Sequence, residues 1–359
     1  IISSFASWLK ISPMRMQFKS MTRKADSDRH VAMVRAELEA EENESCKRLG
    51  EGYIRLIKDV GSREALTRRF FLIFQYEELR RGDGEDYGQV LSMMQAAEQT
   101  ARAYFFQCGN SILDPKDPDE ATAEILYMFF NRRSCVDEPF QSRVNRVVID
   151  TMATKQKVIG IDPVPHIRIS NFLAPRGIDL NHHHYVVMDG LYYTFLYIKG
   201  NGYPSMVRAG WMSSLINAGE GVDVDVFLRR ENRSKSIDKV AQRIRLNRTK
   251  LKSMQDTSSD YEELANSIQS GYYIKHGLSN NEDLFYLSIF VTVSAKSYEE
   301  LMWRKQQMVD MLKSMDMYVS DCRFQQEAAF RSVMPFVKMA PSLETKSPSD
   351  GAIFTKGIT

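Results

Sequence analysis

The sequence lacks the short motifs that would assign it an enzymatic chemistry. It has no Gly-x-x-x-x-Gly-Lys-Ser/Thr segment, whose amides and lysine would cradle phosphates, and no strand-to-helix Gly-x-Gly-x-x-Gly fingerprint. The glycines at 200, 202 and 210 have turn spacing, and Gly219-Glu220-Gly221 precedes a strand-like run instead of a helix. A nucleophile elbow, a His-Glu-x-x-His pair and a calcium loop are also missing, so we expect no catalytic residue, cofactor or metal site. Cysteine is scarce: Cys46, Cys108, Cys135 and Cys322 show no paired metal spacing, which suggests reduced structural thiols in a cytoplasm-like compartment. Long apolar runs are absent too; the longest, near Leu191 to Ile198, falls far short of the roughly 20 residues that cross a bilayer as helix. Excess charge is small, +2 overall, so an electrostatic case for nucleic acid must come from a local patch. There is no initiator methionine, which suggests a fragment, and the amphipathic start lacks the basic region and cleavage site of a signal peptide.

What is present is ordinary core material. With 359 residues, 43% hydrophobic and 26% charged, the chain can bury two domain-sized cores. The most readable stretch is Tyr185 to Arg230. Leu191 to Ile198 reads as a buried strand between Asp189-Gly190 and the glycine turn at 200–202. Val207 to Ala218 reads as a helix closed by Gly219, and Val222, Val224, Val226 and Leu228 as one strand face, with Asp223 and Asp225 on the other.

Upstream, Ile1 to Leu9 has helical spacing before Pro13, and Met14 to Met21 alternates as a half-buried strand does. Asp26 or Ser27 can cap a long helix from Asp28 to about Lys58, and Arg69 to Tyr76 reads as the clearest buried strand of this half. A helix Gln89 to Gln107, a loop Asp114 to Asp119 and a helix Ala121 to Asn131 follow. The pattern weakens over 132–165, a connection, before a strand His166 to Phe172. After the central unit come helices from Ser236 to about Met254 and Ser259 to about Ile274, a strand Leu284 to Val293, a helix Tyr298 to Met315 and a strand Met317 to Cys322.

The two halves, 1–131 and 166–336, repeat one order of elements, with 337–349 as a linker. The predicted class is therefore α+β, two tandem ferredoxin-like, βαβ-rich subdomains with antiparallel or mixed sheets covered by helices. The first half lacks an opening strand. The tail at 350–357, DGAIFTKG, shares Asp-Gly, an apolar pair and Thr with the strand opening at Asp189, which suggests that it completes the N-terminal sheet.

Two clusters invite a functional reading. His182-His183-His184 could turn at most two imidazoles to one side of a strand, with a carboxylate such as Asp179, and its plainer reading is a polar strand start. His30, His166 and His276 have no evident partners. The basic stretch 229–252 places Lys239, Arg243 and Lys250 toward one helical face, able to meet nucleic-acid phosphate, an acidic subunit or anionic lipid. Its plainer reading is a solvated helix balanced by Asp256, Asp260, Glu262 and Glu263.

Several segments resemble the N-terminal region of the VirB/TrbE/CagE-class ATPases of type IV secretion and conjugative transfer, in their Gram-positive mobile-element form. They are TRRFFLIFQYE from Thr67, LAPRGID from Leu173, the run from Gly200 to Arg230, DYEELANSIQSGYYIK from Asp260, and SMDMY from Ser314. The tail DGAIFTK also resembles the strand with which those proteins begin. In that family a RecA-like motor follows the region ending near AAFRSVMPF, whereas here the sequence runs on into Lys338 to Ser349, so no nucleotide-binding residue carries over. The resemblance implies a non-enzymatic assembly and docking domain, with ATP and magnesium belonging only to the motor. Its partners would be other subunits of a hexameric ATPase and inner-membrane channel proteins, and its location cytoplasmic, peripheral at the inner face of a bacterial cell membrane. The competing expectation is a free-standing ferredoxin-like protein that binds nucleic acid through the basic helix 235–252.

Overall fold

A computed structural model describes residues 1–13, 15–24, 28–63, 66–75, 87–158, 167–198, 202–204, 207, 210–253, 259–344 and 352–354. Helix α1 (Ile2–Ile11) buries Ala6, Trp8 and Leu9 and stops where the Ser12 hydroxyl donates to the Leu9 carbonyl, just before Pro13. Strand β1 (Arg15–Lys24) follows as its alternation predicts. The single long helix expected from Asp28 is instead two, α2 (Asp28–Ala40) and α3 (Glu44–Arg63). Local side-chain bonds break it: Glu41 accepts from the amides of Glu42 and Asn43, and Asn43 from the amide of Ser45, offering the backbone a cap in place of a helical turn. The expected caps Asp26 and Ser27 lie outside the described residues.

Strand β2 (Leu66–Phe74) is a second correction, since it is the sheet's edge and leaves Phe70 68% exposed. After α4 (Tyr87–Gln107) comes α5 (Pro118–Phe130), which starts inside the expected loop because Asp117 caps the amides of Asp119 and Glu120 and Pro118 fits the first turn. The weak-pattern connection contains α6 (Ser134–Asp137) and the 19-residue α7 (Phe140–Val158), where Glu138 pairs with Arg143 and Arg146. Where a strand was expected before Ala174, α8 (Ile169–Leu173) is helical, and its Leu173 carbonyl accepts from the Asn131 side chain.

Strands β3 (Ile178–Asp179), β4 (Val186–Met188) and β5 (Leu191–Ile198) form a meander. Asp189 and Gly190 join β4 to β5 with φ of 53° and 72°, the twisted two-residue turn that an Asp-Gly pair favours. The expected helix 207–218 shrinks to one turn, α9 (Ser213–Ile216), after Gly210 at φ 78°. Then come β6 (Val222–Arg230), α10 (Arg233–Ser253), α11 (Ser259–Ser279), β7 (Leu284–Ala295), α12 (Tyr298–Ser314), β8 (Val319–Asp321), α13 (Gln326–Val333) and β9 (Ala352–Phe354).

The fold is α+β, and its strands form one antiparallel sheet in place of two: β2-β1-β6-β7-β5-β4-β3, with β8 also on β5 and β9 also on β7. Within it β1-α2-α3-β2-α4 and β6-α10-α11-β7-α12 run in the same order, and the leading strands β1 and β6 pair with each other. The tail strand expected in the N-terminal sheet pairs instead with Leu284, Phe285 and Tyr286 of β7; Asp350 and Gly351 lie outside the described residues. One sheet face is apolar, with Val224, Val226, Ile289, Val291 and Leu196 packed around Trp8, Leu301 and Leu312. The other meets Phe129, Phe330 and Val333 from α5 and α13.

Candidate interaction faces and a buried ionic layer

The basic face lies on a helical hairpin, α10 against α11. Val240 and Ile244 point inward, and Lys239, Arg243 and Lys250 are exposed along one flank of the helix. Lys239 is drawn to Glu231, 3.1 Å away. Arg243, Arg245, Lys250 and Lys252 have no ion-pair partner among the described residues. Of the acidic residues expected to balance them, Asp256 lies outside the described residues. Arg248 turns back across the hairpin to the Tyr272 hydroxyl at 3.1 Å, and Leu246, Tyr272 and Tyr273 are exposed beside the cations.

A second hairpin, α2 against α3, carries an apolar line on its outside: Leu49, Tyr53 and Leu56 fall at i, i+4 and i+7 and are 77%, 47% and 60% exposed. The open cleft between its helices, about 600 Å³, mixes Arg35, Lys47 and Arg55 with Glu39 and Glu51, without convergence on one ligand charge.

An ionic layer under the sheet was not legible from residue patterns. Asp223 and Asp225 do face away from the valines, as alternation requires, but that side is also buried. Directly opposite Asp225 in the β1–β6 register is Lys19, whose ammonium lies 2.8 and 3.0 Å from the two carboxylate oxygens and 2.9 Å from the Val333 carbonyl. Gln17 adds a 2.7 Å bond to the same carboxylate, and the Phe129 ring sits over the ammonium at 5.1 Å. Burial raises the Asp225 carboxyl above its ordinary pKa, while Lys19 and Gln17 work against that rise.

Asp223 is held by Arg132 at 2.5 and 3.0 Å and by the Thr22 amide at 2.8 Å. Burial disfavours the Arg132 charge, yet the Asp223 carboxylate keeps its pKa above the ordinary value. A third acid, Asp189, holds its turn by accepting from the amides of Arg133 and Ser134 and from the Ser134 hydroxyl. These bonds fasten the α5–α6 segment to the sheet. They are interactions of position and charge, and the Ser134 hydroxyl among them is spent on Asp189.

The histidines do not converge. His182 lies 3.2 Å from Asp179, the carboxylate named for it, but stacks on Tyr185, whereas His183 packs against Phe324. Among the described residues no group of three or more His, Cys, Asp or Glu could hold a metal ion. His276 bonds Asn280, and His166 lies outside the described residues. All four cysteines are free, and burial pushes the Cys135 and Cys322 thiols up, away from reactive thiolate. No helix among the described residues is long and apolar enough to cross a membrane. Compared with protein-family models and with curated proteins, the chain matches none.

Proposed function

We propose that this chain is a non-catalytic assembly and docking domain of a conjugative type IV secretion ATPase, working through protein contacts. The observation that carries this reading is the apolar line Leu49, Tyr53 and Leu56 on the outside of the α2–α3 hairpin, where a partner would bury surface now in water. The element order supports the ferredoxin-like expectation. Strands β5, β6, β7 and β8 lie in the order β8-β5-β7-β6, all antiparallel, with the α10–α11 hairpin replacing a short turn. The first repeat supplies β1 and β2 in the same relation. In this reading the partners are ATPase subunits and inner-membrane channel proteins, at the cytoplasmic face of the cell membrane, and nucleotide chemistry belongs to the motor.

The test is to purify the chain with Leu49→Asp and Leu56→Asp and compare it with the parent. The expected result is an unchanged melting temperature with loss of self-association, or of co-purification with the ATPase or channel subunits, and a gene that encodes a Walker A motif beyond Phe336. ATP turnover by the chain itself would overturn the proposal. A nucleic-acid reading is favoured by one observation, the exposed cations Arg243, Arg245, Lys250 and Lys252. It requires DNA affinity that falls steeply with salt, with a log–log slope that flattens by about one for each phosphate contact removed by Lys239→Gln, Arg243→Gln or Lys250→Gln.

A further inference from the structure

On the ionic face of the sheet, beneath α5 and α13, lies a small cavity of about 20 Å³. Its wall includes Tyr193 and Phe195 of β5, Thr292 of β7 and Asp223 of β6, and its cover includes Phe129 and Arg132. Register explains the grouping: Thr292 is directly opposite Phe195 on one side and Asp223 on the other, and Tyr193 is two residues from Phe195 on the same face. Tyr193 is only 4% exposed and Thr292 only 5%. Both hydroxyl oxygens are buried, and neither has a hydrogen-bond partner among the described residues.

Leaving two such hydroxyls unbonded costs on the order of 1–3 kcal/mol each, and native interiors rarely tolerate it. The cavity is too small for an organic ligand but exceeds the roughly 10–15 Å³ that one water needs. Charge excludes an ion. The Arg132 guanidinium is committed to Asp223 and to the Thr22 carbonyl, and the Asp223 carboxylate accepts from Arg132 and the Thr22 amide, so the neighbouring pair is neutral and internally satisfied. We propose that this cavity is a binding site for a single structural water, hydrogen-bonded to Tyr193 Oη and Thr292 Oγ1. Burial pushes the Tyr193 phenol well above its ordinary pKa, so it keeps the proton that it donates there. The water lets two polar side chains stand in a wall of aromatic and methionine side chains beside the Arg132–Asp223 clamp.

A crystal structure of the full chain at a resolution that shows ordered water tests this directly. The expected result is one isolated density peak within about 2.7–3.2 Å of both oxygens, absent from the Tyr193→Phe/Thr292→Val double variant. Water-proton relaxation dispersion should show the same loss of a single long-lived internal water in solution. In urea melts each single variant should raise the unfolding constant by roughly two- to tenfold, and the double variant should fall short of the product of the two, because the water leaves with its second partner. An empty cavity in the parent chain overturns the proposal. So does a single variant more stable than the parent, the result expected when a hydroxyl that never found a partner is removed.

Discussion

Lys19 and Asp225 meet because β1 and β6 pair with these two residues opposite, and because α5 and α13 close over that face. Their side chains are 1% and 0% exposed, so the pair has left water completely. Such a pair adds little over a well-packed apolar one, whereas breaking it strands a charge. Lys19→Met should therefore cost about 3–5 kcal/mol of unfolding free energy in urea melts. Lys19→Met/Asp225→Leu should recover much of that, though not all, since Gln17 then loses its acceptor. A double variant no more stable than Lys19→Met would contradict the assignment.

Glu138 gives a pH-dependent counterpart. The Arg146 hydrogen bond, with further attraction from Arg143, holds its carboxyl below the usual range. A folded-state pKa below the unfolded value of about 4.3 means that the contribution is present above that pH and is lost as pH falls through the depressed value. Glu138→Gln should melt lower than the parent at neutral pH, and the two melting curves should converge on acidification below the glutamate range. A gap that persists in acid would assign the effect to shape instead of charge.

At the scale of elements, Asp117 shows how a start signal was readable and still missed. Asp114 to Asp119 reads as a loop by its two prolines, yet an acid before a proline and two more acids is also a capped helix start. Asp117→Ala should cost about 1 kcal/mol and increase amide exchange in the first turn of α5, leaving α4 unchanged. Strands β1 and β6 and helices α1, α4, α10, α11 and α12 were legible through the spacing of their apolar residues, and β5 and β7 as nearly unbroken apolar and aromatic runs of strand length. What failed was decided by partners. Strand β2 has the apolar composition of a central strand but lies at the edge, and α7 lies between the prolines at 139 and 163, which read as a connection, and is held at its start by the Glu138 ion pairs. The basic face on α10 was legible because it depends on spacing within one helix. The ionic layer was not, because Lys19 and Asp225 are 206 positions apart and only the sheet register joins them.

For the whole molecule, the repeated order of elements suggests two units that fold separately, whereas the pairing of β1 with β6 makes one sheet of them. That junction is backed by Lys19–Asp225 and by the Arg132–Asp223 clamp, whose members come from both repeats and from the segment between. A charge stranded at the junction should then weaken both repeats together. In hydrogen exchange followed by mass spectrometry, Lys19→Met should lower protection in peptides from β1 and α1 and, by a similar free energy, in peptides from β6 and β7. Urea melts should keep a single transition at a lower midpoint. If β7 keeps its full protection while β1 loses it, the repeats are independent units, and the shared sheet is a contact between them and not their common core.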